Sequence, residues 1–183
     1  AQKIDWDDRV TEYLPDFKLY EPYVTSELRI RDLLCHRSGL ATFSGDLLWY
    51  GTTWTSDEVL EKAQYLKPIS SFRTEFGYQN ILYIAAGKII EVVSGTSWEK
   101  CIQDSLLNPI GMKKSILSTV DLHGRKPIAQ PHNETTAGNL VPIDWINWDN
   151  MAPAGALIAS VKDMAKWMTV QLDSGRVDDQ RLW

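Results

Sequence analysis

The run FGYQNILYIAAGKIIEVV, Phe76 to Val93, passes without a break from loop chemistry into an almost wholly apolar segment. Residues 64 to 77 ahead of it carry Pro68, two adjacent serines and Gly77, which together read as a loop. From Asn80 to Val93 the side chains are apolar nearly all round, and Gly95 follows at a helix-stop position. A helix of that composition is stable only when largely buried. Tyr78-Gln79-Asn80 therefore sits where a loop enters a buried helix, a place that can hold side chains rigidly at the edge of a cleft. As a bare tripeptide it says little, since an aromatic at a helix start serves packing as readily as chemistry.

Outward from this run the chain reads as mainly α with a few short strands. Val10, Tyr13 and Leu14 form one apolar turn behind Asp5, Asp7 and Asp8, a short capped helix ended by Pro15. Residues 16 to 27 read as an extended connection. Ile30, Leu33 and Leu34 share a helical face, Gly39 follows His36 as a stop, and Ser38 is a helix-end residue with no nucleophilic role. Thr55 with Glu58, and Thr96 with Glu99, have capping-box spacing; the second opens a helix through Trp98, Ile102 and Leu106 that Pro109 and Gly111 halt. Residues 113 to 158 are irregular, with short candidate strands such as 117 to 120. Ser160 and Asp163 cap a last amphipathic helix in which Val161, Ala165, Met168 and Leu172 recur at helical spacing before Gly175.

At 183 residues, 44% hydrophobic and 23% charged, the chain has the size of one domain or one lobe of a larger one, so residues 1 to 183 are read as a single unit. The net charge is −5, and lysine and arginine are spread thinly, which argues against a nucleic-acid partner and against a membrane surface. No apolar run approaches the roughly 20 residues that span a bilayer. Cys35 and Cys101 lie in apolar helical patterns and read as buried free thiols, with a single disulfide as the alternative. Eight tryptophans and seven tyrosines suit cores and small-molecule clefts equally. There is no Gly-x-Ser-x-Gly elbow, His-Glu-x-x-His, P-loop or dinucleotide fingerprint, so no cofactor is expected. His36, His123 and His132 lack metal-ligand spacing; each reads as a capping or surface histidine and no metal is expected.

At five places in the right order, however, the chain resembles the serine β-lactamase and penicillin-binding-protein-like hydrolases, the class C β-lactamase-like group. KIDWDDRVTEYLPDF is similar to that family's stretch after its first catalytic helix, and ELRIRDLLCHRSGL to its best-known signature. FGYQNILYIAAGKIIEVVSGTSW resembles its second catalytic motif, LLNPIGM its Pro-x-Gly-Met turn, and APAGALIASVKDMAKWM its late helix. In the family a serine of Ser-x-x-Lys attacks a carbonyl, the tyrosine of Tyr-x-Asn helps move protons, and a Lys-Thr-Gly or His-x-Gly strand lines the opposite wall. The resemblance makes Tyr78 the proton-transfer residue and Asn80 a polar contact, both catalytic. It places Asn150, Pro153 and Gly155 on the substrate-binding rim, a simple turn being the alternative for these three. A phenol with a pKa near 10 is a poor base at neutral pH, so the role demands a neighbouring cation such as a lysine ammonium. Asn80 can orient that lysine or a substrate amide without adding charge.

One literal Ser-x-x-Lys occurs, Ser97 to Lys100, but it follows Tyr-x-Asn, whereas the family's precedes it, and it reads as a helix start. By resemblance the true Ser-x-x-Lys belongs before Ala1, the third motif beyond Trp183, and the central sheet is largely missing. The implied fold is the helical lobe of the β-lactamase/transpeptidase-like α+β fold. The implied function is part of a serine hydrolase acting on amide or ester bonds of a small-molecule or peptide substrate through an acyl-enzyme. A β-lactamase, a D-amino-acid peptidase or a carboxylesterase would fit, with these 183 residues inactive by themselves. A non-catalytic binding or scaffold module is the competing reading, and a homo-oligomer that completes the sheet is a third. The family's members are often exported, so a periplasmic or secreted location is expected over a cytoplasmic one.

Overall fold

The computed structural model describes residues 3–178 and 180–182. In chain order its α-helices are α1 (Val10–Tyr13), α2 (Pro22–Glu27), α3 (Ile30–Leu34), α4 (Asp46–Trp49) and α5 (Ser56–Lys62). They continue as α6 (Ile81–Ser94), α7 (Trp98–Ile102), α8 (Asn108–Ile110), α9 (Ala152–Gly155) and α10 (Val161–Leu172). The strands form two small antiparallel hairpins, β1 (His132–Glu134) with β2 (Leu140–Pro142), and β3 (Arg176–Val177) with β4 (Gln180–Arg181). This is a helical lobe with little sheet, as the sequence implies.

Helix α6 is the axis of the larger core. Ile81, Leu82, Ile84, Ala85 and Ile89 are buried against Val10, Leu28, Leu33 and Val59. Each buried aliphatic side chain of this size contributes about 1.5–3 kcal/mol, so the interior position of α6 outweighs its β-branched residues, which are only moderate helix formers. The helix ends where Gly95 takes a φ of +72° and its N–H donates to the Glu91 carbonyl at 2.9 Å. Gly87 lies where α6 meets α9: a Cβ there would sit 2.7 Å from Pro153 Cβ, so only glycine permits this approach. A second core gathers Trp98, Leu107, Met112, Ala152, Ala156 and Val170.

Several local expectations need correction. Residues 16 to 27 are not extended throughout, since α2 starts on Pro22 at its first turn and Val24 is its buried residue. The cap of α7 is Ser97, whose hydroxyl accepts the Lys100 N–H at 3.2 Å, and no Thr96–Glu99 box forms. Pro109 does not halt the helix: the chain widens into a π-turn over Gln103–Leu107, which accommodates a residue without N–H, and stops at Gly111. No strand forms over 117 to 120; Val120–Leu122 is a 3₁₀ turn, and Ile116 bridges to Ile158 alone. Both cysteines are free, but Cys35 is exposed and Cys101 half-buried, so neither is a core thiol. Ser38 is buried four residues beyond the end of α3, where its hydroxyl accepts the Leu40 N–H at 3.3 Å. The Val161, Ala165, Met168 and Leu172 face of α10 points outward, whereas Val170 and Asp163 are buried.

Asp163 is buried because three donors converge on it: the Lys114 N–H at 2.8 Å, the Ser115 hydroxyl at 3.0 Å and the Lys166 ammonium at 3.2 Å. Burial opposes its charge, but these partners prevail and hold the carboxyl below the usual carboxylate range. Asp163→Ala is expected to cost about 2 kcal/mol in urea unfolding at pH 7, because it strands buried donors. A carboxylate with a depressed folded pKa stabilises fully above its unfolded value and loses that contribution as pH falls through the folded one. The gap between the two proteins should therefore shrink as pH drops below about 4.

Candidate active site

Tyr78-Gln79-Asn80 leads into α6 along the turn that follows α3, and a ladder of hydrogen bonds joins the two segments. The Gly77 N–H donates to the His36 carbonyl at 2.8 Å, the Gln79 N–H to His36 Nδ1 at 3.0 Å, and the Phe43 N–H to the Tyr78 carbonyl at 2.9 Å. The Tyr78 N–H reaches Thr42 Oγ1 at 3.2 Å, and the Gln79 side-chain amide donates to the Ala41 carbonyl. Gln79 is fully buried and acts as the anchor; Tyr78 on one side of it is 38% exposed. Alternation along an extended segment explains this, because successive side chains point to opposite faces.

The Tyr78 ring stacks on His36 at 4.7 Å between centroids and meets Phe43 edge-on at 5.6 Å. Its hydroxyl has no hydrogen bond among the described residues, which leaves the phenol turned outward with its ring fixed by aromatic neighbours. Asn80 stands at the N-cap of α6, where an asparagine commonly caps its own helix, yet it makes no cap bond. Its Nδ2 donates instead to both carboxylate oxygens of Asp46, at 3.1 Å each, and Asp46 also accepts the Trp49 indole N–H at 3.2 Å. An ionised carboxylate only accepts, so Asp46 fixes the flip of the Asn80 amide and leaves its oxygen as a free acceptor. A tyrosine hydroxyl and an amide oxygen two residues apart can together receive an ammonium group or pass a proton.

Asn150 is tied to the same neighbourhood: its Nδ2 donates to the carbonyls of Trp49 and Trp54 at 3.1 Å each, and Trp148 packs edge-on against Trp49 at 5.9 Å. Its side-chain oxygen is buried without a partner among the described residues. Pro153 and Gly155 lie elsewhere. They line an apolar cavity of about 320 Å³ with Trp98, Met112 and Trp167, and Tyr78 is not part of its wall. The structure thus joins Asn80 and Asn150 through the Asp46–Trp49 helix, seats Tyr78 on His36, Thr42 and Phe43 of the adjoining turn, and sets Pro153 and Gly155 apart.

Two residues absent from the sequence-based site make direct contact with it, Asp46 with Asn80 and His36 with Tyr78 and Gln79. Asp46 was invisible because it lies 34 residues from Asn80 with no pattern to link them. His36, read as a capping or surface histidine, is instead half-buried beneath Tyr78; burial holds its imidazole below the usual histidine range. The signal available was its place in ELRIRDLLCHRSGL, the stretch that resembles the family's best-known signature. The Ser97 to Lys100 motif is a helix start: Ser97 caps α7, and the Lys100 ammonium pairs with Asp104 at 2.6 Å, which raises the lysine above its usual range.

Comparison with known proteins gives a consistent result. A family model described as Beta-lactamase matches residues 1–183. The chain is 30% identical over 173 residues to an unguisins hydrolase of Aspergillus violaceofuscus, covering 90% of this chain and 30% of that protein. It is 26% identical to penicillin-binding protein 4 of Amycolatopsis lactamdurans, covering 98% of this chain and 47% of that one. The structure of the octameric penicillin-binding protein homologue from Pyrococcus abyssi superposes with a TM-score of 0.81 at 26% identity, over 98% of this chain and 41% of that one. The chain spans less than half the length of each of these three proteins.

Proposed function

The chain belongs to the beta-lactamase family, and from that premise we propose that it carries the proton-transfer side of a serine hydrolase active site that cleaves amide or ester bonds through an acyl-enzyme. The observation that carries this reading is the pair of acceptors at the head of α6: the exposed Tyr78, whose hydroxyl has no hydrogen bond among the described residues, and the buried Asn80, whose amide nitrogen is committed to Asp46 and whose oxygen is left as an acceptor. Tyr78 exchanges a proton with the nucleophile or leaving group, and Asn80 orients a lysine ammonium or a substrate N–H. Asn150 supports the rim by pinning the segment of Trp148 to the α4 region. Pro153 and Gly155 serve the reading as walls of a neighbouring apolar subsite. The substrate is a small molecule or peptide of the amide, ester or lactam class.

Within the 183 residues the single Ser-x-x-Lys is committed to capping α7, so the attacking serine lies outside them on this reading. On the same reading the 183 residues by themselves lack the attacking serine and the oxyanion hole that would stabilise the developing charge. Incubation of the purified 183 residues with benzylpenicillin or a p-nitrophenyl ester is expected to give neither a burst nor a mass shift. The protein of the full reading frame is expected to gain the mass of one acyl group on a serine of Ser-x-x-Lys. A burst from the 183 residues alone would overturn the placement of the nucleophile. A full-length protein without Ser-x-x-Lys would instead support the binding or scaffold module. Self-association is part of the proposal, since the Pyrococcus abyssi homologue is octameric; size-exclusion chromatography showing a strict monomer would remove it. Among the described residues no helix is long and apolar enough to cross a membrane.

A further inference from the structure

We infer that His36 is the positioning residue of the Tyr78-Gln79-Asn80 segment, which it holds only as the neutral imidazole. Three contacts carry this. The Gln79 N–H donates to His36 Nδ1 at 3.0 Å, and a ring nitrogen that accepts carries no proton, so the single ring proton sits on Nε2. The imidazole stacks on Tyr78 at 4.7 Å and on Tyr83 at 5.4 Å, with Phe76 edge-on at 5.5 Å. The His36 carbonyl accepts the Gly77 N–H at 2.8 Å, so one residue receives two alternate N–H groups from the same edge of the incoming segment. His36 achieves this with a φ of +60°, a left-handed conformation that costs a non-glycine residue energy, and the surrounding contacts hold it there.

Protonation at Nδ1 would turn the acceptor into a donor facing the donor of Gln79. That N–H belongs to a fully buried residue, so losing its acceptor leaves a buried donor unsatisfied. Among the described residues the titratable groups stacked on the ring are Tyr78 and Tyr83. Of the charged residues in the two adjoining segments, Arg37 donates to the Arg73 carbonyl, Arg73 pairs with Asp32 at 2.6 Å, and Glu75 is exposed. Among the described residues no carboxylate is bonded to the imidazole to favour its charged form. Burial of the ring acts in the same direction. Acidification should therefore loosen Gln79 and, with it, the side chains of Tyr78 and Asn80 on either side. The consequence for catalysis rests on the reading of Tyr78 given above; the coupling itself does not, and its test uses no turnover.

The test is nuclear magnetic resonance of the labelled 183-residue chain between pH 8 and pH 4. At pH 8 the His36 Nδ1 signal is expected to be that of an unprotonated acceptor, and Nε2 that of an N–H. On acidification the Gln79 amide and Tyr78 ring signals should shift together with the His36 midpoint, below the ordinary value of about 6.5. Exchange protection of the Gln79 amide should fall about tenfold across that midpoint. His36→Asn supplies a non-titrating oxygen acceptor and tolerates positive φ, so it should keep the Gln79 protection and abolish its pH dependence. His36→Phe keeps an aromatic ring without an acceptor and should lose protection at every pH. An Nδ1–H tautomer at pH 8, Gln79 signals unmoved through the His36 titration, or the same pH response in His36→Asn would each overturn the inference. The wild-type titration decides the question even where His36→Phe fails to fold.

Discussion

Tyr78→Phe is expected to lower the acylation rate of the full hydrolase by about 10²–10⁴-fold, the usual contribution of a positioned general acid or base, while leaving the fold intact. The substitution removes one oxygen. That oxygen bonds to nothing among the described residues, and the phenyl ring keeps the stack on His36 and the edge contact with Phe43. A stability change within about 0.5 kcal/mol is therefore expected, as for a surface substitution without structural partners. Pre-steady-state acylation with a chromogenic ester, beside a urea unfolding curve, separates the two effects. Activity within threefold of wild type would remove Tyr78 from proton transfer and leave Asn80 and Asp46 as binding groups only. Loss of stability by several kcal/mol would instead mark the hydroxyl as structural.

The contrast between the buried Asn80 and the outward Tyr78 shows why a tripeptide can be half legible. Apolar composition identified α6, and its buried positions follow directly: a segment without a polar face has no way to lie on a surface. The same composition placed Tyr78 and Asn80 at the head of that helix. It could not supply Asp46 or His36, which arrive from 34 and 43 residues away by tertiary contact. Helix α10 shows the opposite failure. Its periodic residues Val161 and Leu172 are 87% and 86% exposed, whereas the charged Asp163 is buried by donors from residues 114 and 115. Periodicity reports that a helix has an apolar stripe, and the rest of the fold decides which side is covered. Helix α2 escaped notice because Val24 is its only buried side chain, too little signal for a helical period. Thr96 and Ser97 offered adjacent caps of similar chemistry, and the choice of Ser97 goes with a second contact: the Trp98 N–H reaches Glu91 Oε1 at 3.3 Å.

Gly77→Ala should be the most damaging single methyl that can be added near this site, at about 3 kcal/mol or more in urea unfolding. The cause is space, not backbone torsion: a Cβ on Gly77 would run into the Leu40 carbonyl oxygen and approach the Leu40 and Ala41 carbonyl carbons at 3.3 and 3.5 Å. These atoms are backbone on both sides, so no side chain can swing away. Separating the two segments would stretch the bonds from Gly77 to His36, from Gln79 to His36 and from Phe43 to Tyr78 at once. Gly51→Ala is the control. Gly51 has a φ of +66° with nothing within 4 Å of its would-be Cβ, so alanine there meets torsional strain alone, about 1 kcal/mol. Hydrogen exchange of the Phe43 and Gln79 amides distinguishes the two modes: faster exchange at both is expected in Gly77→Ala and at neither in Gly51→Ala. Equal, small effects from the two variants would mean that the approach of the 36–43 turn to Tyr78 is loose, and the rigid placement on which the proton-transfer role depends would fail with it.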